Sequence, residues 1–171
     1  MKASAPSPSK GIFDSANLEK REQIVALLEK AYWMEIETVM SYMAASVNLD
    51  GVRAQEIKES LAADVDEELR HAKRFAERIK ELYGVVPGSE DFAAEQSFLQ
   101  PPDEQTDIVH VIRGVIKAET GAIEHYTRIV EETEGVDPVT QDMTTEILHD
   151  EQGHRRLFEG FLREYELDGI A

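Results

Sequence analysis

The chain of 171 residues contains no cysteine. Disulfides, zinc-thiolate sites, iron–sulfur clusters and thiol nucleophiles are therefore excluded. Cationic residues are few. There are 18 Lys and Arg against 35 Asp and Glu, a formal net charge of −17. Nucleic acid and anionic membranes repel such a chain, so neither DNA nor a membrane is an expected partner. Cations are attracted to it. No apolar run nears the roughly 20 residues of a membrane-spanning helix. The opening stretch MKASAPSPSKG lacks the apolar segment of a secretory signal, so a soluble cytoplasmic protein is expected. No segment alternates with period two, so no sheet is expected.

What is present points to one helical domain. Hydrophobic residues make up 42%, enough for a sizeable core. Residues 1–14 hold three Ser and two Pro and read as a flexible tail, with a bundle over 15–171. Four segments carry helical periodicity. The first runs from Asn17, as N-cap, to Asn48. The second runs from Arg53 to Tyr83, stopping at Gly84. The third runs from Glu104 to Glu134, stopping at Gly135. The fourth opens with Asp137 as N-cap and Pro138 at the first helical position, and ends near Glu166. The first and last connections are short, which makes two antiparallel hairpins. The middle connection, Gly84 to Asp103, has 20 residues. At about 3.3 Å per residue it spans a helix of about 45 Å. The expected fold is thus all-α: an antiparallel four-helix bundle with one long crossover between helices 2 and 3. Ser89 and the EDFAAEQSFL that follows suggest a short helix inside that crossover.

Each apolar stripe is interrupted by a carboxylate. Glu35 breaks the stripe of helix 1, Glu68 and His71 that of helix 2, Glu119 that of helix 3, and Glu151 and His154 that of helix 4. The four Glu lie near the midpoints of their segments, so they share one layer of the bundle. Charges in an apolar core need partners or metal, and no inward Lys or Arg offers neutralisation except Arg155 at a stripe edge. The halves repeat. Glu35 precedes Tyr42 by seven residues and Glu119 precedes Tyr126 by seven. Each half then supplies Glu-x-x-His. Carboxylates and imidazoles in this number suit two divalent cations: iron or manganese, with zinc acceptable.

Glu-x-x-His alone is weak, and a third copy, Glu146-x-x-His149, has polar and glycine neighbours and reads as surface. Tyr42 and Tyr126 are either core aromatics or hydrogen-bond partners of the ligands. Asp64 is either a further partner or part of a wet bundle end. His110 and His125 lie off the core face and read as solvated. Helix 1 carries a second apolar stripe, Trp33, Ile36, Met40, Met43 and Val47. It suggests a subunit interface in a homo-oligomer, with Phe92, Phe98 and Leu99 of the crossover as the competing cover.

The segments EIETVMSY (35–42), ELRHA (68–72), ETGAIEHY (119–126) and DEQGH (150–154) resemble the ferritin-like superfamily, and bacterioferritin most closely in the ligand set. The resemblance implies that Glu68 and Glu151 bridge two Fe ions per subunit. Glu35 and His71 would complete one position, Glu119 and His154 the other, and these six would carry the catalysis. The implied activity is oxidation of Fe(II) by O2 or H2O2, with ferric mineral held in a hollow shell. The chain departs from bacterioferritin at Leu69, where the haem-ligating Met is replaced, so no haem is expected. No fifth helix is expected after Glu166. The long crossover is similar to dodecameric Dps-like proteins, and the mixed bacterioferritin/Dps-like group fits best, although its cysteine pair is absent. A 12-mer is favoured over a 24-mer or a dimer. A rubrerythrin-like di-iron peroxidase without storage, and a non-catalytic bundle with a structural metal, are the competing readings.

Overall fold

A computed structural model of the protein describes residues 11–169. It has four α-helices and, among the described residues, no strand: α1 (Leu18–Asn48), α2 (Ala54–Glu81), α3 (Ile108–Thr133) and α4 (Pro138–Leu167). Residues 1–10 of the expected tail lie outside the described residues. Gly11–Phe13 form a 3-10 turn instead of tail, and Ile12 is buried against the core. The bundle's packing thus begins before residue 15. No helix among the described residues is long and apolar enough to cross a membrane.

Local chemistry explains the boundaries. The Asp107 side chain accepts from the His110 N–H at 3.0 Å, capping α3 four residues later than the periodicity suggests. Asp137 accepts from the Thr140 N–H at 3.1 Å and caps α4, with Pro138 in its first turn. Asn17 borders α1 without capping it; its side-chain amide donates to the Gly11 carbonyl. At the end of α2, Tyr83 takes the left-handed turn (φ 67°) rather than Gly84. Gly84 serves close approach: a Cβ there would lie 2.8 Å from Ile79 Cγ2 and 2.9 Å from Val25 Cγ1. The turn between α3 and α4 uses Gly135 at φ 72°.

Cross-helix bonds fix the topology. Tyr42 of α1 reaches Glu119 of α3, while Tyr126 reaches back to Glu35, so α1 and α3 are antiparallel. α1 is antiparallel to α2 through their short connection. α2 and α3 are therefore parallel, as a single crossover requires. The crossover holds no α-helix. It forms two 3-10 turns, Ser89–Asp91 and Ser97–Leu99. The buried Glu37 carboxylate of α1 explains this, since it accepts from the N–H groups of Glu95 and Gln96 at 2.8–3.1 Å. Those donors are drawn out of any helical ladder.

The core is two apolar clusters. One gathers Tyr42, Leu49, Ile57, Leu61, Ile112 and Phe158. The other gathers Ile24, Leu28, Phe75, Ile79, Tyr126 and Ile147. Each such side chain contributes about 1.5–3 kcal/mol on burial. Between the two clusters lies the layer of polar side chains at mid-bundle.

Candidate metal centre

All six residues that interrupt the stripes are buried and meet in that layer. They form two overlapping groups. Glu35, Glu68, His71 and Glu151 bring one donor atom each within 4.8 Å of one another, and so do Glu68, Glu119, Glu151 and His154. Glu68 and Glu151 belong to both groups. His71 Nδ1 lies 3.1 Å from Glu68 Oε2 and 3.1 Å from Glu151 Oε1. His154 Nδ1 lies 3.4 Å from Glu68 Oε1 and 3.4 Å from Glu151 Oε2. Both imidazoles thus turn the same nitrogen to the shared carboxylates.

Three atoms at this point, Glu68 Oε1, Glu151 Oε1 and His154 Nδ1, are buried without an aligned hydrogen bond. An unsatisfied buried polar atom costs about 1–3 kcal/mol. Carboxylate oxygens and imidazole nitrogens left free and converging are what a divalent cation takes as ligands, so the residues fit a pair of metal ions.

Electrostatics agree. Burial, reinforced by the charges of Glu68 and Glu151, holds the Glu35 and Glu119 carboxyls well above the usual range. Burial acts on Glu68 in the same sense, but the His154 and His71 imidazoles beside it outweigh it and bring it down to about 2. Burial opposes charge on the imidazoles, yet the Glu151 and Glu68 carboxylates beside them push His71 up to about 10 and His154 up to about 12. Without metal, protons on Glu35, Glu119, His71 and His154 do the neutralising. Cations would replace them.

The tyrosines are crossed between halves. The Tyr42 hydroxyl donates to Glu119 Oε1 and the Tyr126 hydroxyl to Glu35 Oε1. The outer imidazole nitrogens are crossed as well. His71 Nε2 meets Asp150 Oδ2 at 3.3 Å, and His154 Nε2 meets Glu67 Oε2 at 3.3 Å. Such partners fix the imidazole tautomer that exposes Nδ1. Glu67 and Asp150 were not singled out from sequence. The available signal was an acidic residue directly before each shared Glu, one on each Glu-x-x-His helix.

Other expectations divide. Glu146 and His149 are exposed, as read. His110 is exposed. His125 is not solvated: it is 9% exposed, and its Nε2 lies 2.8 Å from the Leu27 carbonyl of α1. It sits on the edge of α3 that meets α1, outside the stripe that α3 itself displays. Asp64 is buried, with Oδ1 3.8 Å from His154 Nε2. Arg78 is a buried cation that the stripes did not reveal. Its guanidinium is engaged by Asp137 at 2.7 Å and Thr140 at 2.8 Å, two turns from His71, so it does not neutralise the centre. Arg155 bonds Glu159 at 2.9 Å.

The model of the ferritin-like domain family matches residues 25–167. The DNA protection during starvation protein of Pyrococcus furiosus is 32% identical over 146 residues, covering 82% of this chain and 77% of that one. The bacterioferritin of Desulfovibrio desulfuricans is 27% identical over 142 residues, covering 82% and 75%. Among solved structures, the dodecameric thioferritin of Bacteroides fragilis, a bacterioferritin-related protein, superposes with a TM-score of 0.77 at 23% identity, covering 87% of this chain and 89% of that one. The diiron bacterioferritin of D. desulfuricans superposes at 0.74 with 23% identity, covering 87% and 83%. The chain belongs to the ferritin-like family.

Proposed function

We propose that the protein is a ferroxidase and iron-storage protein that oxidises Fe(II) with O2 or H2O2 inside each subunit and holds the ferric product in a hollow homo-oligomer. The observation that carries this reading is the pair of overlapping ligand sets sharing Glu68 and Glu151. Glu35 and His71 complete one Fe(II) position, and Glu119 and His154 complete the other. Manganese or zinc would fit the same donors. Each Fe(II) gives up one electron. H2O2 takes two electrons and two protons to leave two waters, whereas O2 takes the same to leave H2O2. Tyr42 and Tyr126 hold the two outer carboxylates in place through their hydroxyls. The kinship with a bacterioferritin whose structure records a diiron site in different catalytic states supports the redox role.

The storage half of the reading rests on assembly. Met40, Met43 and Val47 of α1 are 47%, 51% and 70% exposed in the single chain. Trp33, higher on the same stripe, is partly covered by Phe92 of the crossover, ring centroids 5.3 Å apart. We assign the remaining stripe, with Ile36, to contact between copies, and twelve copies to the shell, as in the B. fragilis relative. Leu69 offers no atom that could ligate haem, in keeping with a haem-free assembly.

The test is anaerobic loading with two Fe(II) per chain, then O2 or H2O2, following the ferric absorbance. The expected result is fast oxidation that saturates at two irons per chain and falls to the buffer rate in Glu68→Ala/Glu151→Ala. A wild-type rate no faster than buffer would overturn the reading.

A further inference from the structure

The outward face of α3 carries charge opposite in sign to the chain as a whole. Asp and Glu outnumber Lys and Arg by 35 to 18, yet residues 108–118 contain no acid and three basic side chains, His110, Arg113 and Lys117. All three are exposed. Spaced by three and four residues, they stand in one row along the helix, where like charges repel. The start of a helix favours acids, and α3 has none in its first turn. Among the described residues neither Arg113 nor Lys117 has a carboxylate partner. The row borders a shallow cavity of about 350 Å³ whose other wall is the crossover, at Phe98. Gly114 lets that wall come close, since a Cβ there would lie 2.8 Å from the Phe98 carbonyl oxygen. The crossover fixes both ends of the row. The Lys117 ammonium lies over the Phe98 ring, 4.5 Å from its centroid. His110 Nε2 donates to the Gln100 carbonyl at 3.0 Å. Arg113 stands between them and makes no hydrogen bond among the described residues. Asp107, the acid at the cavity's edge, is already engaged as the cap of the helix, accepting from the His110 N–H.

We propose that His110, Arg113 and Lys117 bind a phosphate group, free or carried by a small molecule. Cations gathered in a row with no acid of their own are completed by an anion from outside. The Arg113 guanidinium presents a fork of N–H donors that matches two phosphate oxygens, and the Lys117 ammonium adds a point charge. More than one cation suits a dianion better than a single carboxylate. The cavity is at the small end of the range for ligand sites, so it holds one phosphate group. A nucleic-acid duplex is disfavoured, because its whole backbone would meet a chain of net charge −17. The site uses none of the buried donors, so it stands independently of the ferroxidase reading.

The test is equilibrium dialysis of the metal-free full chain against radiolabelled inorganic phosphate at low ionic strength, repeated with AMP; metal is removed because iron itself would bind phosphate. Wild type should bind one phosphate per chain, saturably. Arg113→Gln should weaken it at least about tenfold, as loss of a charge-assisted pair does, and Lys117→Gln should weaken it less. Arg128→Gln, which removes an exposed cation further along α3, should bind as wild type does. AMP binding at least as tightly as phosphate assigns the site to a phosphate ester, and weaker AMP binding assigns it to free phosphate; either supports the site. No saturable binding would overturn the inference. So would binding that survives both Arg113→Gln and Lys117→Gln, or an equal loss in Arg128→Gln, which would mean diffuse charge alone. Duplex DNA that displaces phosphate and binds more tightly would overturn it by making a polymer the ligand. Should Arg113→Gln fail to fold, Lys117→Gln decides.

Discussion

The α1–α2 hairpin and the α3–α4 hairpin carry the same donors in the same order, yet their surroundings differ. Each supplies Glu, then Tyr seven residues on, then Glu-x-x-His. Neither hairpin completes a position alone. Tyr42 serves Glu119, Tyr126 serves Glu35, Asp150 serves His71 and Glu67 serves His154. The centre is assembled by exchange between halves, so helix docking and site formation are one event. The difference lies one turn before each shared Glu, where α2 has Asp64 and α4 has Ile147. His154 therefore faces two acids on its outer side, Glu67 and Asp64, whereas the ion pairs of His71 on that side include Asp150 alone. Duplication of the donors makes two overlapping donor sets, and divergence of their neighbours makes them unequal.

The sharpest break of the symmetry is removal of one imidazole. His71→Ala and His154→Ala should each abolish paired oxidation and retain one cation at the position served by the other hairpin. Calorimetric titration with Zn(II) should show the central stoichiometry halved. Loss of both ions in either variant would mean that the two positions do not form separately.

Proton content gives the next largest effect. His71 and His154 are raised in the folded protein above the unfolded value of about 6.5. The stability they contribute is fully present below that value and is lost as pH rises toward about 10 and about 12. Glu35 and Glu119, also raised, act in the same direction from about pH 4.3 upward. Glu68, lowered to about 2, acts oppositely, losing its contribution as pH falls below about 4.3. Metal-free protein should therefore melt at a lower temperature at pH 9 than at pH 6. The metal-loaded form should not, because cation binding releases those protons and tightens with pH. Thermal melts of both forms across this range check the sign.

The outer acids sharpen the inequality. Asp150→Asn should weaken the first cation position about 10–100-fold, as loss of a partner behind a ligating imidazole does. Glu67→Gln should weaken the second position less, because Asp64 remains beside His154. Competition with a chromophoric chelator measures both. The smallest effects belong to the tyrosines. Tyr126→Phe should weaken the position containing Glu35 and Tyr42→Phe that containing Glu119, each by about 1 kcal/mol for one lost hydrogen bond. The crossed pattern is the diagnostic part: a loss in the tyrosine's own hairpin would contradict the exchange between halves.

Much of this was legible in the sequence for a physical reason. A carboxylate at mid-helix in an apolar stripe conflicts with burial, and four such conflicts in one layer have few resolutions. Helix spans were legible where periodicity and caps agreed, as at Asp137-Pro138. The crossover was not, because its conformation is set by the Glu37 carboxylate, 58 residues away from the Glu95 N–H it accepts. His125, Glu67, Asp150 and Arg78 escaped for a related reason. Their partners are on facing helices, and a stripe read along one helix does not show how far its edges are buried by the next. Asp64 was visible on the inward face, but its place beside His154 appears only once the helices pack.

The most direct test of the shared-carboxylate centre is Mössbauer spectroscopy on protein loaded with two 57Fe(II) per chain and then oxidised. The expected low-temperature spectrum has no magnetic splitting in zero field, because two ferric ions held by the donor sets that share Glu68 and Glu151 would couple to a diamagnetic ground state. A magnetically split spectrum of isolated high-spin ferric ions would contradict the paired centre, however fast the iron had been oxidised.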